Sequence, residues 1–411
     1  MRIILEAKRK LEIIMVLYIN TLEDIKTFYK NEMDGFIVYG AGEVAIQFTT
    51  LVQYFYGTID MIKKYVLSNK QTDNIFFNGK EVVKFNSSII SENDNIVLAL
   101  GKKARKEVLE TISDLPCNIY VIDSKIMFDD KCKSIFYEDC INDIKEYIQS
   151  VNYALNEKNN FINDNKLYAW TCWWQGEECA PDIVKACINS QRLNLPSEVC
   201  HIIITKYNFR QFIEFPDYIL EKVNNGQISY TTFSDIIREK LIYKYGGIWF
   251  DSTVLINKPF PIDFFKMPLF TCKSKTYDYG SFSKWSLWCM GAQKENDIFR
   301  FLYEAFEHYY KNHNSIKYYL TVDYYIKAAM RYVCGANEQY NKIPFNNTNT
   351  DELAPHLKDK YIESDYEKYI ESTYISKLTY KHFSGRNGDD FTGFTNDSIY
   401  QFIIDKYIKL N

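Results

Sequence analysis

Phe233-Ser234-Asp235-Ile236-Ile237-Arg238, followed by Tyr245-Gly246-Gly247-Ile248-Trp249-Phe250-Asp251-Ser252-Thr253, decides the reading of the second half of this chain. Apolar residues at Phe233, Ile236, Ile237, Leu241, Ile242 and Tyr245 recur at helical spacing, with Thr231 or Thr232 available as N-cap and Gly246 as the stop. The spacing predicts a buried helix. Asp235 and Arg238 share one face of it. Gly246-Gly247 then turns the chain, and Ile248-Trp249-Phe250 reads as a short buried strand. Asp251 is left at its carboxyl end, where open α/β sheets commonly bind ligands.

Two carboxylates and a guanidinium in this order suit the cleavage of a sugar-diphosphate bond. Negative charge grows on the departing phosphate, and a divalent cation held by carboxylate and hydroxyl oxygens, helped by a guanidinium, offsets it. On this reading Asp251 holds the metal, Asp235 accepts hydrogen bonds from sugar hydroxyls, and Arg238 forks onto a phosphate or sugar oxygen. Each element alone has a plainer account. An Asp and an Arg three apart on a helix often form a simple ion pair, and a Gly-Gly turn before a strand is ordinary.

The string from Ser234 to Asp251 resembles the capsular polysaccharide synthesis family, within the wider set of Asp-x-Asp sugar transferases that includes the yeast initiating mannosyltransferase and the clostridial glucosylating toxins. A second block, Trp170-Thr171-Cys172-Trp173-Trp174-Gln175-Gly176 with Ala180-Pro181, Cys187 and Ser190, is similar to that family's opening strand. Lys377-Leu378-Thr379 and His382 resemble its closing segment, so the likeness runs from about residue 165 to at least 385. The resemblance implies a GT-A fold with a mixed α/β sheet, a UDP-sugar donor, Mn2+ or Mg2+, and retention of anomeric configuration. It aligns Trp174 with a tryptophan that stacks on the nucleotide base, and alternation along a strand would leave Trp173 for the core.

One departure stands out. Where the wider set has a second aspartate, this chain has Thr253, so the candidate metal ligands are Asp251, Thr253 and, from the closing segment, His382. A lone histidine between Lys381 and Phe383 is also an ordinary surface or packing residue.

The first part of the chain carries a different pattern. Residues 35–39 read as a buried strand, and Gly40-Ala41-Gly42-Glu43-Val44-Ala45 follows at once, opening an amphipathic helix over 44–56. This is the strand-turn-helix context in which Gly40 and Gly42 would cradle a diphosphate at a helix N-terminus. Strands over 61–67, 95–100 and 118–122 and a helix over 102–112 complete a small parallel α/β domain. The acid expected after its second strand is missing, since Ser68-Asn69 stands there and Asp73 is the nearest candidate. An accessory role, packing or nucleotide binding, is therefore expected in place of redox chemistry.

A chain of 411 residues is long for one domain. The expected division is a Rossmann-like accessory domain over 1–155 and a GT-A-like transferase domain over 156–411, with the polar stretch 156–165 as linker. Helices are expected over 298–310 and 316–333, the second carrying Asp323 as an acceptor-side acid. A net charge of -4 argues against a nucleic-acid partner. Ten cysteines without paired zinc spacing read as free thiols in a reducing compartment. The apolar run 11–19 is interrupted by Glu12 and is too short to span a bilayer, so a cytoplasmic protein is expected. A glycan or lipid-linked glycan acceptor would bring it to the inner face of the membrane. The alternative from another class is a dinucleotide- or nucleotide-sugar-binding protein whose second half is a degenerate, non-catalytic domain, and Thr253 is the feature in its favour.

Overall fold

A computed structural model of the chain describes residues 16–31, 35–68, 75–77, 80–91, 94–151, 166–273, 285–318, 320–380 and 394–409. Two compact units emerge, one of residues 1–143 with 317–321, the other of residues 144–316 with 322–411. Both are α/β.

In the first unit, strands β1 (Val16–Ile19), β2 (Phe36–Tyr39), β3 (Ile62–Leu67), β4 (Ile75–Phe77), β5 (Lys80–Lys84), β6 (Asn95–Leu98) and β7 (Asn118–Ile122) form one sheet. Their order is β1-β7-β6-β2-β3-β5-β4, and every neighbouring pair is parallel except the β4-β5 edge. β2 and β6 are buried along their whole length, as central parallel strands must be when helices cover both faces. Helices α1 (Leu22–Asn31), α2 (Glu43–Tyr56), α3 (Lys102–Ile112) and α4 (Asp130–Asp143) accompany them. β6 ends at Leu98, two residues short of expectation, because the chain turns through Ala99 and Leu100 to Gly101, the N-cap of α3.

The short segment 317–321 belongs to this unit. The Lys317 ammonium lies 3.2 Å from Asp139 Oδ2 and 2.8 Å from Asp143 Oδ1. The buried Tyr318 donates its hydroxyl to Asp139 Oδ2 at 2.7 Å, and Thr50 Oγ1 lies at the same distance from that hydroxyl. The helix expected over 316–333 therefore starts only at Thr321: these two side chains are committed to α2 and α4 before helical geometry begins.

The second unit opens with α5 (Lys145–Ser150), then β8 (Leu167–Cys172), α6 (Asp182–Asn194), β9 (Val199–Ile204), α7 (Asp217–Asn224), α8 (Tyr230–Tyr245) and β10 (Gly247–Phe250). β11 (Val254–Ile256), β12 (Leu269–Thr271), β13 (Cys289–Ala292), α9 (Asp297–Asn312), α10 (Thr321–Tyr332) and β14 (Ile375–Lys377) follow. A mixed sheet runs β12-β13-β10-β8-β9, parallel from β10 to β9 and antiparallel on the β13 side. β11 and β14 form a separate antiparallel ribbon.

α5 moves the expected boundary from 155/156 to 143/144. Its buried Tyr147 donates to Glu304 Oε2 at 3.1 Å on α9, a tie within the second unit. The expected linker 156–165 and Asp73 lie outside the described residues.

α8 is capped by Ser229 in place of Thr231 or Thr232: the Ser229 side chain accepts from the Thr232 amide at 3.1 Å. Gly246 closes the helix at φ 72, and its amide reaches Ile242 O at 2.8 Å. Trp170, fully buried, donates its indole N–H to Gly246 O at 2.9 Å. At Gly247, with φ 94, an added Cβ would collide with the Tyr168 carbonyl on neighbouring β8. Only glycine suits this turn, which joins α8 to the central strand.

Candidate active site

Asp235 and Arg238 face one another from adjacent turns of α8, with Arg238 Nη2 2.8 Å from Asp235 Oδ1. Trp249 and Asp251 are two residues apart on extended chain, which puts their side chains on the same face. The Trp249 indole donates to Asp251 Oδ1 at 2.9 Å, and the Arg238 guanidinium lies 5.7 Å over the Trp249 ring and 3.9 Å from Asp251 Oδ1. Sequence reasoning placed Asp235, Arg238 and Asp251 together, and they form one continuous polar line.

That line continues to a residue that had been given no role. Lys377, at the end of β14, points its ammonium between Asp251 Oδ2 at 2.8 Å and Thr253 Oγ1 at 2.7 Å. The β11-β14 register sets Val254 opposite Lys377, and the Leu378 amide binds Thr253 O at 2.9 Å. The turn from Asp251 to Val254 is braced from α6. Gln191 donates to Val254 O at 2.9 Å and accepts from Thr171 Oγ1 at 2.8 Å, while Ser190 Oγ accepts from the Ile256 amide at 2.9 Å.

Charges are arranged unevenly here. Burial raises the Asp251 carboxyl, but Lys377 and Arg238 outweigh it and hold Asp251 below its ordinary value. Burial, reinforced by the charges of Asp251 and Asp323, pushes Asp235 up to about 6 against the opposing pull of Arg238. Glu239, the next residue on α8, is fully buried; neither carboxylate oxygen has a hydrogen-bond partner, and burial drives its pKa well up. Arg238 itself is 2% exposed. Asp323, expected as an acceptor-side acid, is buried near the start of α10 and acts on Asp235 electrostatically.

Trp174 follows β8 and sits among aromatic rings, its centroid 5.1 Å from Phe209, 5.9 Å from Tyr230 and 5.2 Å from Phe233. Tyr230 and Phe233 belong to the first turn of α8, so this aromatic platform and Asp235 share a helix. Trp173 is only half-buried, packing on the cluster around α6 with Tyr380 edge-on at 5.3 Å. It flanks the core and does not sit within it, because both tryptophans lie beyond the last residue of β8.

His382 lies outside the described residues. The remaining candidate ligands form a sparse set. Among the described residues, no three His, Cys, Asp or Glu side chains gather as a metal site. The Oδ2 oxygen of Asp251 and the hydroxyl of Thr253 both bind the Lys377 ammonium, so these two described donors fit a divalent cation poorly.

Gly40 and Gly42 belong to the first unit. Gly40 has φ 129, and a Cβ there would stand 2.5 Å from Ala99 O, so it permits the ends of β2 and β6 to approach closely. These strands mark the point where the connections diverge, toward β3 on one side and β7 on the other. Gly42 caps α2 with open space around its Cβ position. Ser68, where a ribose-binding acid was sought, is within hydrogen-bond distance of the Tyr39 hydroxyl at 2.9 Å. Among the described residues, no helix is long and apolar enough to cross a membrane.

Comparison with known proteins gives one family and one structural neighbour. The solved "PaToxG Glycosyltransferase" aligns with 15% identity over 60% of this chain and all of that one, at a TM-score of 0.30, too low to carry an argument. A search of curated proteins finds no match. The family described as capsular polysaccharide synthesis protein matches residues 118–394, a span that begins at β7 of the first unit and contains the whole Asp235-Arg238-Asp251-Lys377 line. The chain belongs to the capsular polysaccharide synthesis family.

Proposed function

We propose that the protein is a glycosyltransferase that moves a sugar from a nucleotide sugar, UDP-linked by resemblance, to a capsular or other surface glycan. The observation that carries this reading is the line of Asp235, Arg238 and Asp251 at the carboxyl end of β10, together with family membership. In the reaction the bond between the anomeric carbon and the diphosphate breaks, and its electron pair leaves with the phosphate. A hydroxyl of the acceptor bonds to that carbon and gives up its proton to solvent. Asp235 accepts hydrogen bonds from donor sugar hydroxyls. Arg238, fixed between two carboxylates, adds positive potential where the leaving charge grows. Trp174 offers its ring to the base. Retention of configuration and a glycan or lipid-linked acceptor rest on the family resemblance.

The divalent cation expected from that resemblance would need Asp251 and Thr253, with His382. Since the first two are bonded to Lys377, no step is assigned to a metal here. The binding-only alternative draws on the same observation, a site whose carboxylate is already neutralised.

Slow hydrolysis of a UDP-sugar by the purified full-length chain tests the reading without knowledge of the acceptor. UDP release that disappears in Asp251→Asn supports a transferase. UDP binding without release, equal in wild type and variant, would favour the binding-only protein.

A further inference from the structure

Lys377 sets its ammonium between Asp251 and Thr253, the first and third positions of the Asp-x-Asp arrangement. Its ammonium has three N–H donors, and the bonds to Asp251 and Thr253 use two. Its side chain is 24% exposed and that of Asp251 33%, whereas that of Arg238 is only 3% exposed. Of the two cations on the line, Lys377 is therefore the one open to an incoming anion. Its position is fixed by backbone as well as side chain: the Lys377 amide binds Thr350 O at 2.8 Å, and the next amide binds Thr253 O. A divalent ion held by the same two oxygens would stand against the positive charge of this ammonium.

We infer that Lys377 is a catalytic residue that supplies, in place of a divalent metal, the positive charge on the diphosphate of the donor. This rests on the transferase reading above. Asp251 and Thr253 orient the ammonium, and its third N–H donates to a phosphate oxygen. When the anomeric carbon–oxygen bond breaks and the electron pair passes to the diphosphate, the ammonium stabilises the added charge while keeping its proton. The acceptor hydroxyl, or water in donor hydrolysis, forms the new bond and releases its proton to solvent. The arrangement also explains the threonine at 253, because an ammonium between two carboxylates would leave this part of the site negative, whereas one carboxylate and one hydroxyl leave it neutral.

The test is calorimetric titration of the full-length protein with UDP and with GDP, in EDTA and in Mn2+, alongside UDP-sugar hydrolysis in both buffers. Wild type is expected to bind one of these nucleotides in EDTA within about threefold of its affinity in Mn2+, and to hydrolyse the donor in EDTA. Lys377→Met should weaken binding in EDTA at least about tenfold and slow hydrolysis on the order of a hundredfold, as loss of a preorganised charge does. Lys377→Arg, which keeps the charge, should recover part of both, and an unchanged melting midpoint in either variant shows that folding is intact. Binding and hydrolysis that require Mn2+, or a folded Lys377→Met that binds as wild type does in EDTA, would overturn the inference while leaving the transferase standing. Failure of wild type to bind either nucleotide in either buffer would remove the donor reading and this inference with it.

Discussion

Asp251 is held from opposite sides by two residues of different chemistry, and the longer reach is that of Lys377, whose ammonium meets Asp251 Oδ2 at 2.8 Å from a strand 126 positions along the chain. The other side is the indole of Trp249, at Asp251 Oδ1. Asp251→Asn keeps an acceptor for the indole and removes the charge that orients the lysine. UDP-sugar hydrolysis should fall by about a hundredfold or more. The melting midpoint should move little, because a one-third-exposed ion pair contributes at most about 1 kcal/mol. Wild-type turnover in this variant would remove Asp251 from the chemistry.

Asp235 should give stability and activity opposite slopes against pH. Its carboxyl is pushed up to about 6 in the fold, above its unfolded value near 4. A raised acid contributes stability that is complete below the unfolded value and lost as pH rises through the folded one. Asp235→Asn should therefore gain up to about 3 kcal/mol relative to wild type between pH 4 and pH 7, beyond any constant offset. Hydrolysis by wild type should instead rise through pH 6 as the carboxylate forms, and the asparagine variant should lack that limb. Urea denaturation and rate profiles across this range would show both, and parallel stability curves for the two proteins would refute the assignment.

His201 acts in the same window with the other sign. Burial, with the nearby charge of Arg192, lowers it to about 4, so its contribution is present above its unfolded value near 6.5 and fades as pH falls. Its effect and that of Asp235 offset one another in wild type. Acidification from pH 6.5 to pH 4 should accordingly cost Asp235→Asn more stability than it costs wild type.

Burial drives the carboxyl of Glu239 well above the ordinary carboxylate range. Glu239→Gln preserves its shape and cannot ionise. Since a raised acid loses its stabilising contribution as pH climbs through its folded value, the melting midpoint of the glutamine variant should rise relative to that of wild type as the pH is raised. A large loss of stability at pH 7 would mean that the ionised carboxylate is the form the fold requires.

Trp174→Ala should weaken UDP binding by roughly 1–3 kcal/mol, the range for a base stacked on an aromatic ring, and leave the hydrolysis rate at saturating donor less affected. Equal affinity for UDP in calorimetry would return Trp174 to a packing role with Phe209 and Phe233.

β2, β6 and β7 were readable because they are apolar runs closed by glycine or polar residues, and β3 was readable despite Lys63 and Lys64, whereas β1, β4 and β5 were not expected. α3 and β7 fall on the residues expected from sequence. The α8-β10 corner was readable for a related reason, since Gly246-Gly247 interrupts two apolar patterns of different period. Lys377 was not. It meets Asp251 through the β11-β14 register, and the pairing of two three-residue strands so far apart leaves no trace in either one's sequence. The start of α10 was missed because Ile316 and Tyr318 continue a helical spacing that tertiary contacts override; Tyr318 is spent on Asp139 and Thr50. Ser229 was passed over for nearby threonines that are equally good caps by type, and only the backbone direction distinguishes them.

The five residues from Lys317 to Thr321 that complete the first unit also bear on how the protein is made. A nascent chain cannot bury the residues that will surround Tyr318 until that tyrosine has been synthesised, long after α4 has left the ribosome. At 5–20 residues per second the interval is on the order of ten to forty seconds. During this time the amino-terminal sheet exists without its last tie, with Asp139 and Asp143 lacking the lysine that pairs with them in the finished fold. Maturation of the first-made half thus waits on the second, and cutting the gene between the halves would separate that half from a piece of itself.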